Sequence, residues 1–415
     1  MTTDRNFVVI GGGLAGAKAI EELRTGGFDG GITLVGREVE RPYERPPLSK
    51  DYLIGAKDRD TIFVHDDDWY AQNQVDLVLG TSVTEIDLDG HDAVTETGRR
   101  LPFDKLLLAT GSSARRLDIP GFELEGIRYL RRVEDADQLL ADISGGGRRV
   151  VIVGGGWIGL EVAAAARGHG NEVTIVEPQA TVLRAVLGDE LGEVFAELHR
   201  AQGVRLLLGQ GVESFAGEGG QVSRVRLTSG ESVEADVVVV GVGAQPETGL
   251  AEHAGLKVDN GIVVDASLRT SHADTFAAGD VANAFHPFLG YHVRVEHWAN
   301  ALNGGPAAAR SMLDLPVSYD RLPYFFTDQY DLGMEFTGHI GPSGYERVVI
   351  RGDKESGAFI AFWLKDRRVI AGMNVNTWDV TDAIGDLIRS RSLINERRLA
   401  NVDVDLDDVA APTDE

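Results

Sequence analysis

Residues 7–16 read FVVIGGGLAG, and residues 150–159 read VVIVGGGWIG. Each stretch is a four-residue apolar run followed at once by three glycines, with a fourth glycine three residues later. An unbroken apolar run of that length suits a strand buried on both faces of a parallel sheet. Residues 17–25 (AKAIEELRT) and 160–168 (LEVAAAARG) are strong helix formers with apolar spacing. Residues 32–35 (ITLV) and 173–176 (VTIV) supply the next strand. A strand–turn–helix–strand unit therefore occurs twice, 143 residues apart.

The spacing within each turn points to a ligand. In G-x-G-x-x-G the first glycine makes a tight turn, the second lets a pyrophosphate approach the backbone, and the third lets helix pack on strand. The phosphate then sits on the free N–H groups at the helix N-terminus. Gly11, Gly13 and Gly16 fit the pattern, as do Gly154, Gly156 and Gly159. One match alone is weak. Two, each set between a strand and a helix, predict two dinucleotide sites. Glu177 follows the second strand of the second unit, where a carboxylate binds the ribose 2′-OH and repels a 2′-phosphate. That predicts NAD rather than NADP. The first unit departs from the pattern, with Gly36 at that position, then Arg37 and Glu38; Glu38 can still serve.

Residues 106–111 (LLLATG) and 236–241 (DVVVVG) read as the places where the chain crosses between two domains, and residues 274–280 (DTFAAGD) return it to the first. The glycines at 145–147 read as a linker ahead of the second unit. Residues 347–351, 358–364 and 368–374 read as three short antiparallel strands. A helix is expected from the capped stretch 379–382 (DVTD) to about residue 391. The acidic end, residues 402–415, is expected to be mobile.

Composition excludes several chemistries. At roughly 100–200 residues per domain, 415 residues predict two or three domains. The chain has no cysteine, which rules out disulfides, thiolate clusters, cysteine-bound zinc and a redox dithiol. The ten histidines lack metal-binding spacing and read as structural or surface residues; no metal is expected. No G-x-S-x-G nucleophile elbow is present. The start shows no basic region followed by a long apolar run, and no run of about 20 apolar residues follows. A cytoplasmic protein without a membrane span is expected. A net charge of −25 disfavours nucleic acid as a partner.

Further segments carry a resemblance. Residues 42–53 (PYERPPLSKDYL), 106–112 (LLLATGS), 129–136 (YLRRVEDA), 154–163 (GGGWIGLEVA), 277–280 (AAGD) and 296–301 (EHWANA) come in the order found in one family. The chain resembles the FAD-dependent NADH:ferredoxin and rubredoxin reductases of bacterial oxygenase systems, with apoptosis-inducing factor a distant relative. The resemblance implies a glutathione-reductase-like α/β fold. Two dinucleotide-binding Rossmann-type domains are followed by an α+β C-terminal domain. FAD would lie on residues 1–113 and 246–325, NADH on 114–245, and the last domain on 326–415.

The resemblance also implies roles. Leu14 and Ala15 lie in the glycine turn over the FAD pyrophosphate, and Val83 touches the adenine through its backbone. Arg45, Arg131 and the turn Ala109, Thr110, Gly111 contact the FAD. Gly279 precedes Asp280, which binds the ribityl chain, and Trp298 packs near the isoalloxazine. Lys50 stands beside the flavin ring, where a cation stabilises the reduced anion. Ile158 and Gly243 join the second glycine turn around the nicotinamide dinucleotide, with Glu161 near the nicotinamide. Lys50 and Glu161 are the implied catalytic residues. Without cysteine, electrons must leave the flavin directly, and the implied partner is an acidic [2Fe–2S] ferredoxin serving a P450 or a Rieske oxygenase. Because this chain is acidic too, docking needs a local basic face. Arg389, Arg391, Arg397 and Arg398 are one candidate, Arg310 and Arg321 another. A monomer or homodimer is expected. The same motifs also suit a reductase of quinones or other small acceptors, a redox sensor, or a nucleotide-binding scaffold.

Overall fold

The computed structural model describes residues 5–411. The chain divides into two compact units. The first comprises residues 1–44, 59–113 and 245–324, and the second residues 45–58, 114–244 and 325–415.

The first unit is built on a five-stranded parallel sheet. Its strands run, in spatial order, Thr275–Ala277, Lys105–Leu108, Asn6–Ile10, Gly31–Val35 and Val75–Val78. The central strands are apolar because they are buried in one core with helix residues such as Ile20 and Leu23 and with Ile86, Ala93 and Leu101 of a small antiparallel sheet. Phe7, Val9, Leu106, Leu107, Leu108 and Phe276 are fully buried. The helix Leu14–Thr25 packs against the helix Trp298–Met312, and the contact is close because Gly305 has no Cβ to strike the Ala15 carbonyl. Two small three-stranded sheets complete the unit.

The second unit repeats the plan. Its parallel sheet runs Arg205–Leu208, Glu172–Glu177, Arg149–Val153, Val237–Val240 and Ile127–Arg128. The glycines at 145–147 connect the helix Val133–Ile143 to the first strand of this sheet, Arg149–Val153. They form a helix-to-strand turn inside this unit, with Gly146 and Gly147 both at φ +67° and Gly147 N–H bonded to Gly170 O at 3.1 Å.

The C-terminal segment is a five-stranded antiparallel sheet, not three strands. The strands Tyr324–Gln329 and Leu332–Gly338 form a hairpin ahead of Arg347–Asp353, Ala358–Lys365 and Arg368–Val375. The helix Thr381–Ser390 lies on this sheet, with Ile384 against Gly372. Its start differs from the expected cap. Val380 is the N-cap residue and makes no side-chain bond, while Asp379 sits at φ +61°. Thr381 instead donates to Glu335 at 3.0 Å.

The acidic end is also not free. Arg351 donates to the carbonyls of Leu399, Asn401, Val402 and Val404 at 2.6–3.3 Å. Val409 is fully buried, and Ala410 bridges Ile394. Backbone acceptors gripped by an arginine, together with one buried valine, override the charge of the segment. Residues 412–415 of the stretch expected to be mobile lie outside the described residues.

Candidate functional site

The two glycine turns are built alike. Gly11 N–H bonds Val35 O at 2.8 Å, and Gly154 N–H bonds Val176 O at 2.9 Å. Gly11 stands at φ +130° and Gly154 at φ +106°, a region side chains rarely enter. A Cβ on Gly11 would overlap the Ala109 carbonyl, and one on Gly154 the Gly241 carbonyl. A Cβ on Gly16 would overlap Gly11 O, and one on Gly159 would overlap Gly154 O. These four glycines therefore serve the fold. Gly13 and Gly156 differ. Each is the N-cap residue of its helix with extended backbone, makes no side-chain cap, and has no atom within 4 Å of where a Cβ would stand. The first-turn N–H groups of both helices thus lack a side-chain cap and border open space, as an anion requires. Leu14 and Ala15 open the first helix and are buried, whereas Ile158, in the first turn of the second, is exposed.

After their second strands the two units part. Glu177 is the last residue of its strand, and its carboxylate accepts from Gly155 N–H at 2.7 Å and Gln179 N–H at 2.8 Å. Gly36, the matching residue of the first unit, packs on Gly12 instead. Glu38, two residues on, accepts from the Tyr43 hydroxyl. The chain returns beside it: Thr81 N–H bonds Gly36 O at 3.0 Å, and Gly80 N–H bonds Glu38 O at 2.9 Å. Val83 follows at the start of the next strand.

Other expected FAD residues of the first unit gather at the C-terminal ends of the parallel strands. Ala109 N–H bonds Ile10 O at 2.8 Å, Thr110 Oγ1 bonds Glu247 O at 2.9 Å, and Gly111 turns the chain at φ +69°. Ser112 donates to Asp280 at 3.0 Å. Gly279, at φ +77°, faces the Ala15 side chain. Trp298 is half-buried at the N-terminus of its helix and lines a cavity of about 270 Å³ with Gly279, Tyr319 and Tyr324.

Lys50, Arg45 and Arg131 belong to the second unit. Arg45 donates to the Arg131 carbonyl. Gly243, at φ +103°, accepts from Arg115 N–H at 2.9 Å. Lys50 and Glu161, singled out separately from the sequence, form one ion pair, Nζ to Oε1 at 2.7 Å, with side chains 10% and 5% exposed. Ser49 donates to the other oxygen of Glu161, and Thr327 donates to Oε1 at 2.6 Å. A buried ion pair persists only when further hydrogen bonds satisfy it, and these two hydroxyls do so. Lys50 therefore carries a locally compensated charge. Ser49 lies in the segment 42–53 that carries the family resemblance, whereas Thr327 lies in no motif.

Among the described residues, no group of three or more histidine or acidic side chains could hold a metal, and no helix is long and apolar enough to cross a membrane. Arg389, Arg391, Arg397 and Arg398 are exposed, and the segment that carries them meets Arg367 and Arg368. Arg368 donates to Arg391 O at 2.8 Å, and Ile394 N–H to Arg367 O at 2.9 Å. Arg310, of the other candidate, lies 3.5 Å from Glu22.

Comparison with known proteins agrees with this geometry. The family model described as pyridine nucleotide-disulphide oxidoreductase matches residues 5–305, and the model described as reductase C-terminal matches residues 324–410. The chain is 40% identical over 404 residues to the ferredoxin–NAD(+) reductase component of the anthranilate 1,2-dioxygenase system of Burkholderia cepacia, covering 96% of this chain and 98% of that protein. It is 36% identical to a rubredoxin–NAD(+) reductase of Pseudomonas putida, covering 92% and 99%. In the crystal structure of the covalent putidaredoxin reductase–putidaredoxin complex, a chain 33% identical matches with TM-score 0.93 over 97% of each. The family's name refers to a disulphide that this chain, with no cysteine, does not have. The chain belongs to the pyridine nucleotide-disulphide oxidoreductases and, within them, to the FAD-dependent ferredoxin and rubredoxin reductases.

Proposed function

We propose that this chain oxidises NADH and passes the electrons singly to an acidic [2Fe–2S] ferredoxin that serves a P450 or Rieske oxygenase. Each NADH oxidised reduces two ferredoxins and releases one proton. The observation that carries the reading is a pair of matching glycine turns, open at Gly13 and Gly156, in a chain without cysteine. Two dinucleotides can be held, and no thiol can take electrons between them. The names of the relatives, which pair NAD(+) with ferredoxin or rubredoxin, support the acceptor.

FAD, when bound, supplies a centre that takes up two electrons together and gives them up one at a time. The protein's part is holding and orienting. The N–H groups of the helix Leu14–Thr25 hold the FAD pyrophosphate, with Asp280 on the ribityl chain and Trp298 at the ring. The helix Trp157–Gly168 holds the NADH pyrophosphate through Gly156, Ile158 and the turn behind them. Glu177 accepts from the adenosine ribose and repels a 2′-phosphate, which favours NADH over NADPH. Glu161 would orient the nicotinamide, and Lys50 would supply a cation that favours a reduced, negatively charged cofactor. The basic face formed by Arg389, Arg391, Arg397 and Arg398 with Arg367 and Arg368 receives the acidic ferredoxin.

Stopped-flow mixing of the FAD-loaded protein tests this. Fast bleaching by NADH, slower bleaching by NADPH, then fast reduction of a [2Fe–2S] ferredoxin are expected. The ferredoxin step should weaken with salt and with Arg397→Ala. Bleaching that only benzoquinone reverses would make the protein a small-acceptor reductase. A long-lived charge-transfer band with no competent acceptor would make it a redox sensor.

A further inference from the structure

A third donor reaches Glu161 from far along the chain, and it does not stand alone. Behind Thr327, Gln329 Nε2 lies 3.2 Å from Thr327 Oγ1, and His199 Nε2 lies 2.9 Å from Gln329 Oε1. The Tyr330 hydroxyl lies 3.3 Å from His199 Nδ1. Thr327, Gln329 and His199 are 0%, 1% and 0% exposed. The four residues behind Glu161 come from the strand Tyr324–Gln329, the turn after it, and the helix Asp189–Ala201.

The chain has one direction. Paired with Lys50, Glu161 is a carboxylate and can only accept. Thr327 therefore donates its single proton to Glu161 and can only accept from Gln329. With its amide NH₂ facing Thr327, Gln329 presents its carbonyl to His199, so His199 carries its proton on Nε2. Nδ1 is then a lone pair, and Tyr330 donates to it. Every link has a single assignment, fixed by the charge at Glu161. Burial agrees: it lowers His199 to about 4, so the ring is neutral at pH 7, and it raises the Tyr330 phenol, so the proton stays on oxygen.

The layout says what the chain does to Glu161. Ser49 and Lys50 are neighbours in sequence: Ser49 ends the short turn Pro46–Ser49, and Lys50 links it to the turn Asp51–Ile54. Thr327 is the donor supplied by a different element, and Gln329 and His199 fix the direction of its hydroxyl. Without it, the carboxylate is held by one short segment only and can swing with it. We infer that Thr327, backed by Gln329 and His199, is a positioning residue that fixes the Glu161 carboxylate for the nicotinamide. The inference rests on the role of Glu161 proposed above.

Two readouts test it. In the FAD-loaded protein, Thr327→Val should slow flavin reduction at saturating NADH by about tenfold, with the apparent Kd for NADH within about threefold of the parent. Thr327→Ser, which restores the hydroxyl, should recover the rate to within about twofold. Gln329→Leu keeps that hydroxyl but removes its donor, and should give an intermediate loss; it carries the test if Thr327→Val does not fold. Independently of turnover, ¹⁵N spectra of the His199 ring at pH 7 should show protonated Nε2 and bare Nδ1, a preference that Gln329→Leu abolishes. Glu161→Gln separates the two possible failures. If it leaves flavin reduction unchanged, the placement of Glu161 falls, and this inference falls with it. The inference falls alone if Glu161→Gln slows reduction and Thr327→Val does not. It also falls alone if serine is as slow as valine, if the loss lies only in Kd, or if His199 carries its proton on Nδ1.

Discussion

Replacing Gly159 and Gly156 separately by alanine should split the second fingerprint into a part that folds and a part that binds. A methyl on Gly159 would stand 2.2 Å from the Gly154 carbonyl oxygen and 3.3 Å from Ile152 Cγ2. An ordinary carbon–oxygen contact is roughly 1 Å longer, so the helix Trp157–Gly168 must lift off its strand by about that amount. Overpacking of this kind costs about 1–3 kcal/mol. Gly156 is the opposite case. Its φ of −82° and ψ of −179° suit any residue, and a methyl there meets no atom within 4 Å. Gly156→Ala should therefore cost stability only through the poorer N-cap, under about 1 kcal/mol. The same methyl would project where a pyrophosphate must approach the backbone, and NADH affinity should fall by about tenfold or more, roughly 1.4 kcal/mol. The assay is paired: urea unfolding of both variants, and NADH titration of whichever stays folded. Equal destabilisation by the two substitutions, with NADH affinity intact in Gly156→Ala, would refute the division.

Acid should weaken the second unit through His199. Its folded-state pKa is lowered by burial to about 4, so its contribution is fully present above the unfolded value near 6.5 and is lost as pH falls from there to about 4. The whole window is worth about 3 kcal/mol, and urea midpoints should fall less steeply across it in His199→Gln. Arg351→Ala should leave four backbone carbonyls of the 399–404 segment without their donor. A cost of about 2 kcal/mol is expected, with faster proteolysis between residues 400 and 411. Arg351→Lys should recover only part of it, since an ammonium cannot span four acceptors as a guanidinium fork does.

What the sequence discloses depends on the range of the contact that fixes each residue. Gly11, Gly16, Gly154 and Gly159 are legible because each is dictated by backbone a few residues away or beside the adjacent strand, at Gly11 against Ala109 and Gly159 against Gly154. The environment of Glu161 is not legible in that way. Ser49 lies 112 residues from it and Thr327 166, while His199 and Gln329 meet across 130. No local pattern encodes such meetings. The hairpin of Tyr324–Gln329 and Leu332–Gly338 was hidden for another reason. Its turn places Tyr330 at φ +57°, where a glycine or asparagine would have announced it. The acidic end misled because charge was visible, whereas the carbonyls that Arg351 grips are invisible in composition.

The difference between the two otherwise matching turns is the more instructive residue of the comparison. At Gly36 the chain packs on Gly12, where a Cβ would lie 3.4 Å from the Gly12 Cα, and the position carries no carboxylate. At Glu177 the side chain is present, and its carboxylate accepts from Gly155 N–H and Gln179 N–H. The two units thus share the glycine turn and differ at the residue that follows their second strand. In the proposed function the second unit reads the 2′ position directly through Glu177. The first must recognise its adenosine through what the chain brings in afterwards, namely Glu38 fixed by Tyr43 and the backbone leading to Val83. A site that holds its dinucleotide permanently gains nothing from rejecting a 2′-phosphate at each encounter. Under the proposed function, a site that must choose between NADH and NADPH on every turnover does, and Glu177 belongs to the unit proposed to make that choice.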